Sequence, residues 1–256
     1  MQNALLVGLS RQVALSRELD VIANNIANIN TSGFKADGSV FEEYVSPTAS
    51  ADNFLGADRR VSFVQDRATW IDMSQGPLER TNNPLDVAVN GKGYLVVQTP
   101  RGERYTRNGA LQINAAGQLV TGEGNPVLGE GGPITFQPND HQVSISRDGT
   151  VSVREGTSNV DSARGKLRPV TFANLQLLRK DGGSTFNVTN GVQPQPAAPE
   201  AGLIQGAVEK SNVRGVVEMS RMIEITRAYT QLANILQQQS DAGTTALDKL
   251  ADVPAS

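Results

Sequence analysis

Apolar residues recur at helical spacing at both ends of the chain and at strand spacing in the middle. Near the start, Leu5, Leu9 and Val13 step by four. Leu15, Leu19, Ile22 and Ile26 then step by four, three and four, which predicts a helix. The shift of register between Val13 and Leu15 predicts two contact faces rather than one seam. Asn30, Thr31, Ser32 and Gly33 are turn-forming residues that end the helix. Toward the other end, 211–250 is free of proline. There Met222, Ile225, Tyr229, Leu232 and Leu236 follow a three-four-three-four spacing, the a/d pattern of a coiled coil. Val216, Met219 and Ile223 form a second stripe beside it. A helix with two apolar stripes needs more than one neighbour.

Between the ends, short β-type runs alternate with turn signals. Residues 93–98 predict a strand, followed by a turn at Pro100-Arg101-Gly102. Residues 103–107 and 110–113 flank Asn108-Gly109, a strong hairpin signal. Further runs follow at 118–121, 127–128, 134–136, 142–146, 151–153, 167–178 and 185–189, with Asp148-Gly149 as another turn. The spacing predicts an antiparallel barrel or sandwich. Residues 35–75 are mixed and polar, with a loose run over 46–56. Pro194, Pro196 and Pro199 predict a stiff linker. The expected class is α+β, with long N- and C-terminal α-helices forming a bundle or coiled-coil domain around a central antiparallel β domain. The expected boundaries are an assembly helix at 1–30, an extended arm at 31–80, the β domain at 81–191, a linker at 192–205 and a second assembly helix at 206–256.

Energetics sharpen the view of the ends. A lone helix is marginal in water, because most helical stability comes from packing its apolar face. Full burial of one Leu or Ile contributes roughly 1.5–3 kcal/mol, against an ordering cost of about 1–2 kcal/mol per residue. The terminal helices could pack on each other and on the β domain. The proline stretch, which sets the last helix apart, favours ordering on assembly instead.

Composition adds mainly exclusions. The 256 residues carry a net charge of −3, with aromatic content of 5% and no cysteine. That charge balance argues against nucleic acid as a partner. The absence of cysteine removes disulfides and thiolate metal sites. The apolar run at 4–9 is short and has no basic segment before it, unlike a secretory signal or a membrane span. His141 is the sole histidine, which rules out a histidine cluster or triad within one chain, and its context predicts a surface loop. Arg101, Arg104 and Arg107 predict a solvated basic hairpin. The Gly-rich stretches 122–124 and 129–132 lack the context of a phosphate loop. No catalytic, cofactor or metal site is expected, and no small-molecule substrate.

Three segments together carry a resemblance. The first is Ala23-Asn24-Asn25-Ile26-Ala27-Asn28 with Thr31, Gly33, Phe34 and Lys35. The second is Thr81-Asn82-Asn83-Pro84-Leu85-Asp86-Val87-Ala88-Val89, then Gly91-Lys92-Gly93-Tyr94 and Tyr105-Thr106-Arg107-Asn108-Gly109. The third is Gly206, Glu209, Ser211-Asn212-Val213, Glu218-Met219, Met222-Ile223 and Arg227-Ala228-Tyr229. In this order they resemble the flagellar basal-body rod and hook family. Arg214-Gly215 departs from that pattern, which often has an acidic residue after Asn-Val.

The resemblance implies a structural, non-enzymatic subunit of the proximal rod, with the distal rod as the alternative. A β-domain binding module dimerised by its helices is a second alternative. It further implies assembly with copies of itself and other rod proteins in the periplasm-spanning rod. Delivery would be by the type III export apparatus, without a cleaved signal and without membrane insertion. The expected assembly residues are Leu5, Leu9, Val13, Leu15, Leu19, Ile22, Ile26, Val216, Met219, Met222, Ile223, Ile225, Tyr229, Leu232 and Leu236. Asn24, Asn25 and Asn28 join them, either as polar residues ending the helix or as amides that fix register between chains.

Overall fold

A computed structural model describes residues 2–46, 61–156, 160–188, 192–197 and 202–251. Most of the polar run at 46–56 and part of the proline stretch, 198–201, lie outside the described residues. The chain divides into two units.

The first unit holds two helices and a two-stranded sheet. Helix α1, Gln2–Ala27, has 26 residues, and helix α2, Gly215–Ala251, has 37. Asp37–Ser46 pairs with Val61–Ile71, the latter belonging to this unit as far as Trp70. The two helices run antiparallel. Leu236 lies over Gly8, the Tyr229 hydroxyl accepts from Gln12 Nε2 at 3.2 Å, and Arg221 pairs with Glu18 at 2.6 Å. The helices pass closely at Gly8, where a Cβ would come within 2.5 Å of a Leu236 methyl.

This overturns the expected bundle or coiled-coil domain. The described residues contain only these two α-helices, the N-terminal one the shorter, in an otherwise strand-rich chain. A bundle encloses a core between more helices than two, and a coiled coil needs a sustained heptad on both partners. The register break in α1 denies it the second condition.

The second unit is the β fold. Its largest sheet is antiparallel and six-stranded, in the order Gly132–Pro133, Val127–Gly129, Leu95–Thr99, Gly102–Thr106, Thr185–Val188, Leu178–Lys180. A three-stranded antiparallel sheet is built from Asp140–Ile145, Thr150–Glu155 and Asp161–Lys166. Pro100-Arg101 and Asp148-Gly149 turn hairpins, as their residues predict. Asn108-Gly109 does not. Gly102–Thr106 pairs with Leu95–Thr99 and Thr185–Val188, whereas Leu111–Ile113 pairs with Leu119–Thr121. Asn108-Gly109 carries the chain between these sheets, and the Gly109 carbonyl accepts from Val87 N at 2.9 Å.

The chain approaching α2 is also β structure. Gln195–Pro196, within the proline-rich stretch, pairs with Val170–Thr171. Leu203–Gln205 pairs with Val87–Val89, and Ala207–Glu209 with Leu78–Arg80. Two apolar clusters fill the unit. One is aliphatic, around Val87, Leu95, Leu119, Val151 and Leu203. The other is aromatic, with Tyr94, Tyr105, Phe172 and Phe186 meeting at tilted and edge-on angles.

Candidate assembly interface

The expected assembly residues fall into three groups. Ile22, Asn25 and Ile225 are buried. Leu15, Leu19, Ile26, Asn28, Met222, Tyr229, Leu232 and Leu236 are half-buried. The a/d stripe of α2 is thus its sheltered side. Leu9, Val13, Asn24, Val216, Met219 and Ile223 are exposed. Leu5 lies in α1, but its side chain is outside those described.

The exposed apolar residues line up. On α1, Leu6, Leu9 and Val13 are three and four residues apart, and on α2 so are Val216, Met219 and Ile223. At 100° per residue each triplet covers one side of its helix, well round from the sheltered stripe. Val216 is 82% exposed, and it is the alignment of such residues on one side, rather than any one of them, that marks a contact surface.

The asparagine signature is used within the chain. Asn25 grips the Asp37 backbone twice, donating to its carbonyl at 2.8 Å and accepting from its N–H at 2.9 Å. Asn24 Nδ2 reaches the Asp37 carboxylate at 3.2 Å. Asn28 Oδ1 accepts from the Thr31 hydroxyl at 3.1 Å in the turn after α1.

A second constellation lies in the β unit, and sequence reasoning missed it. Lys35 Nζ donates to Glu209 Oε1 at 2.5 Å and to the Ser74 carbonyl at 2.6 Å. The same Glu209 oxygen accepts from Gly76 N at 3.0 Å, and Oε2 accepts from Arg107 Nη1 at 3.0 Å. Arg107 Nη2 reaches the Gly91 carbonyl at 2.6 Å, and its guanidinium lies 4.7 Å from the centre of the Tyr94 ring. The Lys35 and Glu209 side chains are fully buried, and Arg107 is 3% exposed.

Burial lowers the Lys35 pKa, and the adjoining Glu209 carboxylate opposes that shift. Burial likewise raises Tyr94, against the pull of Arg107. Around this clasp, Gly33 N donates to the Glu209 carbonyl at 2.7 Å, and Asn212 Oδ1 accepts from Ala36 N at 2.7 Å. Gly33 sits at φ +70, and a Cβ there would strike the Asn108 backbone.

The clasp therefore joins one piece of each motif segment: Lys35, Arg107 with Tyr94, and Glu209. Only the resemblance pointed to these positions. The solvated hairpin expected for the arginines holds for Arg101 alone. Arg104 is mostly buried against Asp181 at 2.6 Å, and Arg107 belongs to the clasp. His141 is exposed at the start of a strand. Among the described residues no group of acidic and histidine side chains is arranged to hold a metal.

Known proteins match these same segments. The model for the flagella basal body rod protein matches residues 5–35, that for the flagellar hook protein FlgE/F/G D1 domain 88–153, and that for the flagellar basal body rod FlgEFG protein C-terminal 204–248. The flagellar basal-body rod protein FlgF of Caulobacter vibrioides is 40% identical over 99% of this chain and 100% of its own length. FlgF of Mesorhizobium japonicum is 35% identical over 98% of each chain. The rod protein FlgG of Bacillus subtilis is 31% identical over 92% of this chain and 94% of its own. With matches that run through the helices, the clasp and the β core alike, the chain belongs to the flagellar basal-body rod proteins, a structural rather than an enzymatic family.

Proposed function

We propose that this chain builds the proximal part of the basal-body rod, joining copies of itself and other rod proteins through the outward apolar stripes of α1 and α2. The observation that carries the reading is the pair of triplets, Leu6, Leu9 and Val13 on one helix and Val216, Met219 and Ile223 on the other. Six large aliphatic side chains in water are unfavourable in a free subunit. Covering them in a neighbour's groove returns roughly 1.5–3 kcal/mol for each one fully buried. The long alignments with two FlgF proteins support the proximal assignment.

The subunit reaches the periplasm through the flagellar type III export apparatus without a cleaved signal. There the assembled rod serves as drive shaft and export channel. A cysteine-free chain suits passage unfolded. The test is to replace the native copy in a flagellated cell with Val216→Asp/Ile223→Asp. The expected result is a folded, exported subunit, no rods in isolated basal bodies, and no swimming. Normal rods and motility would overturn the assignment of these stripes.

A further inference from the structure

We infer that the segment 202–212 is the closing piece of the β unit, so that the rest of that unit stays open until it arrives. Three observations converge. First, Leu203–Gln205 and Ala207–Glu209 complete the pairing of Val87–Val89 and Leu78–Arg80, and Leu203 belongs to the aliphatic core. Without them two strand edges and one core position stand unfilled.

Second, the Gln205 side chain stitches distant parts together. Its Nε2 donates to the Pro84 carbonyl at 2.7 Å and to the Val143 carbonyl at 2.9 Å, and its Oε1 accepts from Ile145 N at 3.1 Å. Third, Glu209 is the carboxylate that answers both buried cations of the clasp. Burying Lys35 and Arg107 without it strands two charges in a low-dielectric site, which opposes collapse of an incomplete chain.

These interactions span 174 positions for Lys35 and 102 for Arg107, so the contacts that reward closure arrive late in the chain. In an N-to-C order of delivery the unit cannot close before residues 203–209 have been delivered. The usefulness of that delay rests on the proposed export as a rod subunit; the folding order does not.

Pulsed hydrogen exchange during refolding of the full natural chain tests it. Protection of Leu95–Thr99, Gly102–Thr106 and Thr150–Glu155 is expected to rise together with that of 203–209, with rates within about threefold of each other. Any larger gap, with those strands protected before 203–209, overturns the inference. The readout uses free subunits in solution. A chain that fails to enter rods can therefore still close in this order, and one that enters rods can fail to.

Discussion

The two units use the same small aliphatic residues to opposite ends. In the β unit Val87, Val89, Leu95, Val97 and Leu119 are wholly withdrawn from water, and the buried cations meet a buried carboxylate. In the helical unit Leu9, Val13, Val216, Met219 and Ile223 remain in solvent, although each helix already has a sheltered side. The proposed assembly turns that difference into a division of labour, in which the open surface is the one a neighbouring subunit completes. Apolar periodicity alone therefore says that a face will be covered, not which chain covers it.

The largest expected effect strikes the closed side of the comparison. Glu209→Gln leaves Lys35 and Arg107 buried without an anion, and the loss is about 3–5 kcal/mol. It reads out as a lower urea midpoint and a lower Tm for the β unit. A loss as small as that of an exposed pair, such as Lys210–Glu79 at 3.4 Å, would mean that the clasp does not organise the unit.

Next is the contact between the helices themselves. Gly8→Val places branched carbon where a Leu236 methyl already sits, and overpacking of this kind costs about 1–3 kcal/mol. The cost falls on pairing of α1 with α2, so helical circular dichroism should melt earlier while the β unit keeps its own transition. A single shared transition shifted as a whole would erase the distinction between the units.

The exposed stripe should respond in the opposite sense. Val216→Asp removes an aliphatic side chain from water and should change monomer stability by no more than about 0.5 kcal/mol, as for ordinary surface substitutions. Unfolding of the purified subunit checks this. A large loss would show that the stripe is already covered within one chain.

The helices and the class of the middle region were legible because periodicity is a local property. Spacings of three and four, or Pro-Arg-Gly between two runs, survive in any context. The Asn108-Gly109 hairpin failed because turn chemistry specifies a bend and not a partner strand. Thr185–Val188 takes the edge that Leu111–Ile113 was expected to fill. The bundle failed for a similar reason, since a second stripe on α2 signals an unmet surface without naming another helix. Lys35, Arg107 and Glu209 were invisible as a site, because single charges far apart in sequence carry no period. Arg107 looked like part of a basic strand, yet that strand stops at Thr106 and the arginine turns inward.

The smallest effect lies at the turn of the three-stranded sheet, where acid should loosen the exposed rim of the β unit. The Ser146 hydroxyl donates to Asp148, as does Thr150 Oγ1 at 2.8 Å, and these bonds lower the Asp148 pKa to about 2. The unfolded value lies near 4, as for an ordinary aspartate. Because the folded value is the lower one, the stabilisation is fully present above about pH 4 and is lost as pH falls from about 4 to about 2. Asp148→Asn removes this titration and leaves the others in place. Asp181, lowered mainly by its bond to Arg104, and Asp140, lowered mainly by Arg164, titrate alike in both proteins. The Tm difference between natural chain and variant should therefore be flat from about pH 7 to 5 and shrink toward pH 2. A difference that stays constant across that acid range would mean the hydroxyls hold the turn by geometry alone, whatever the charge on Asp148.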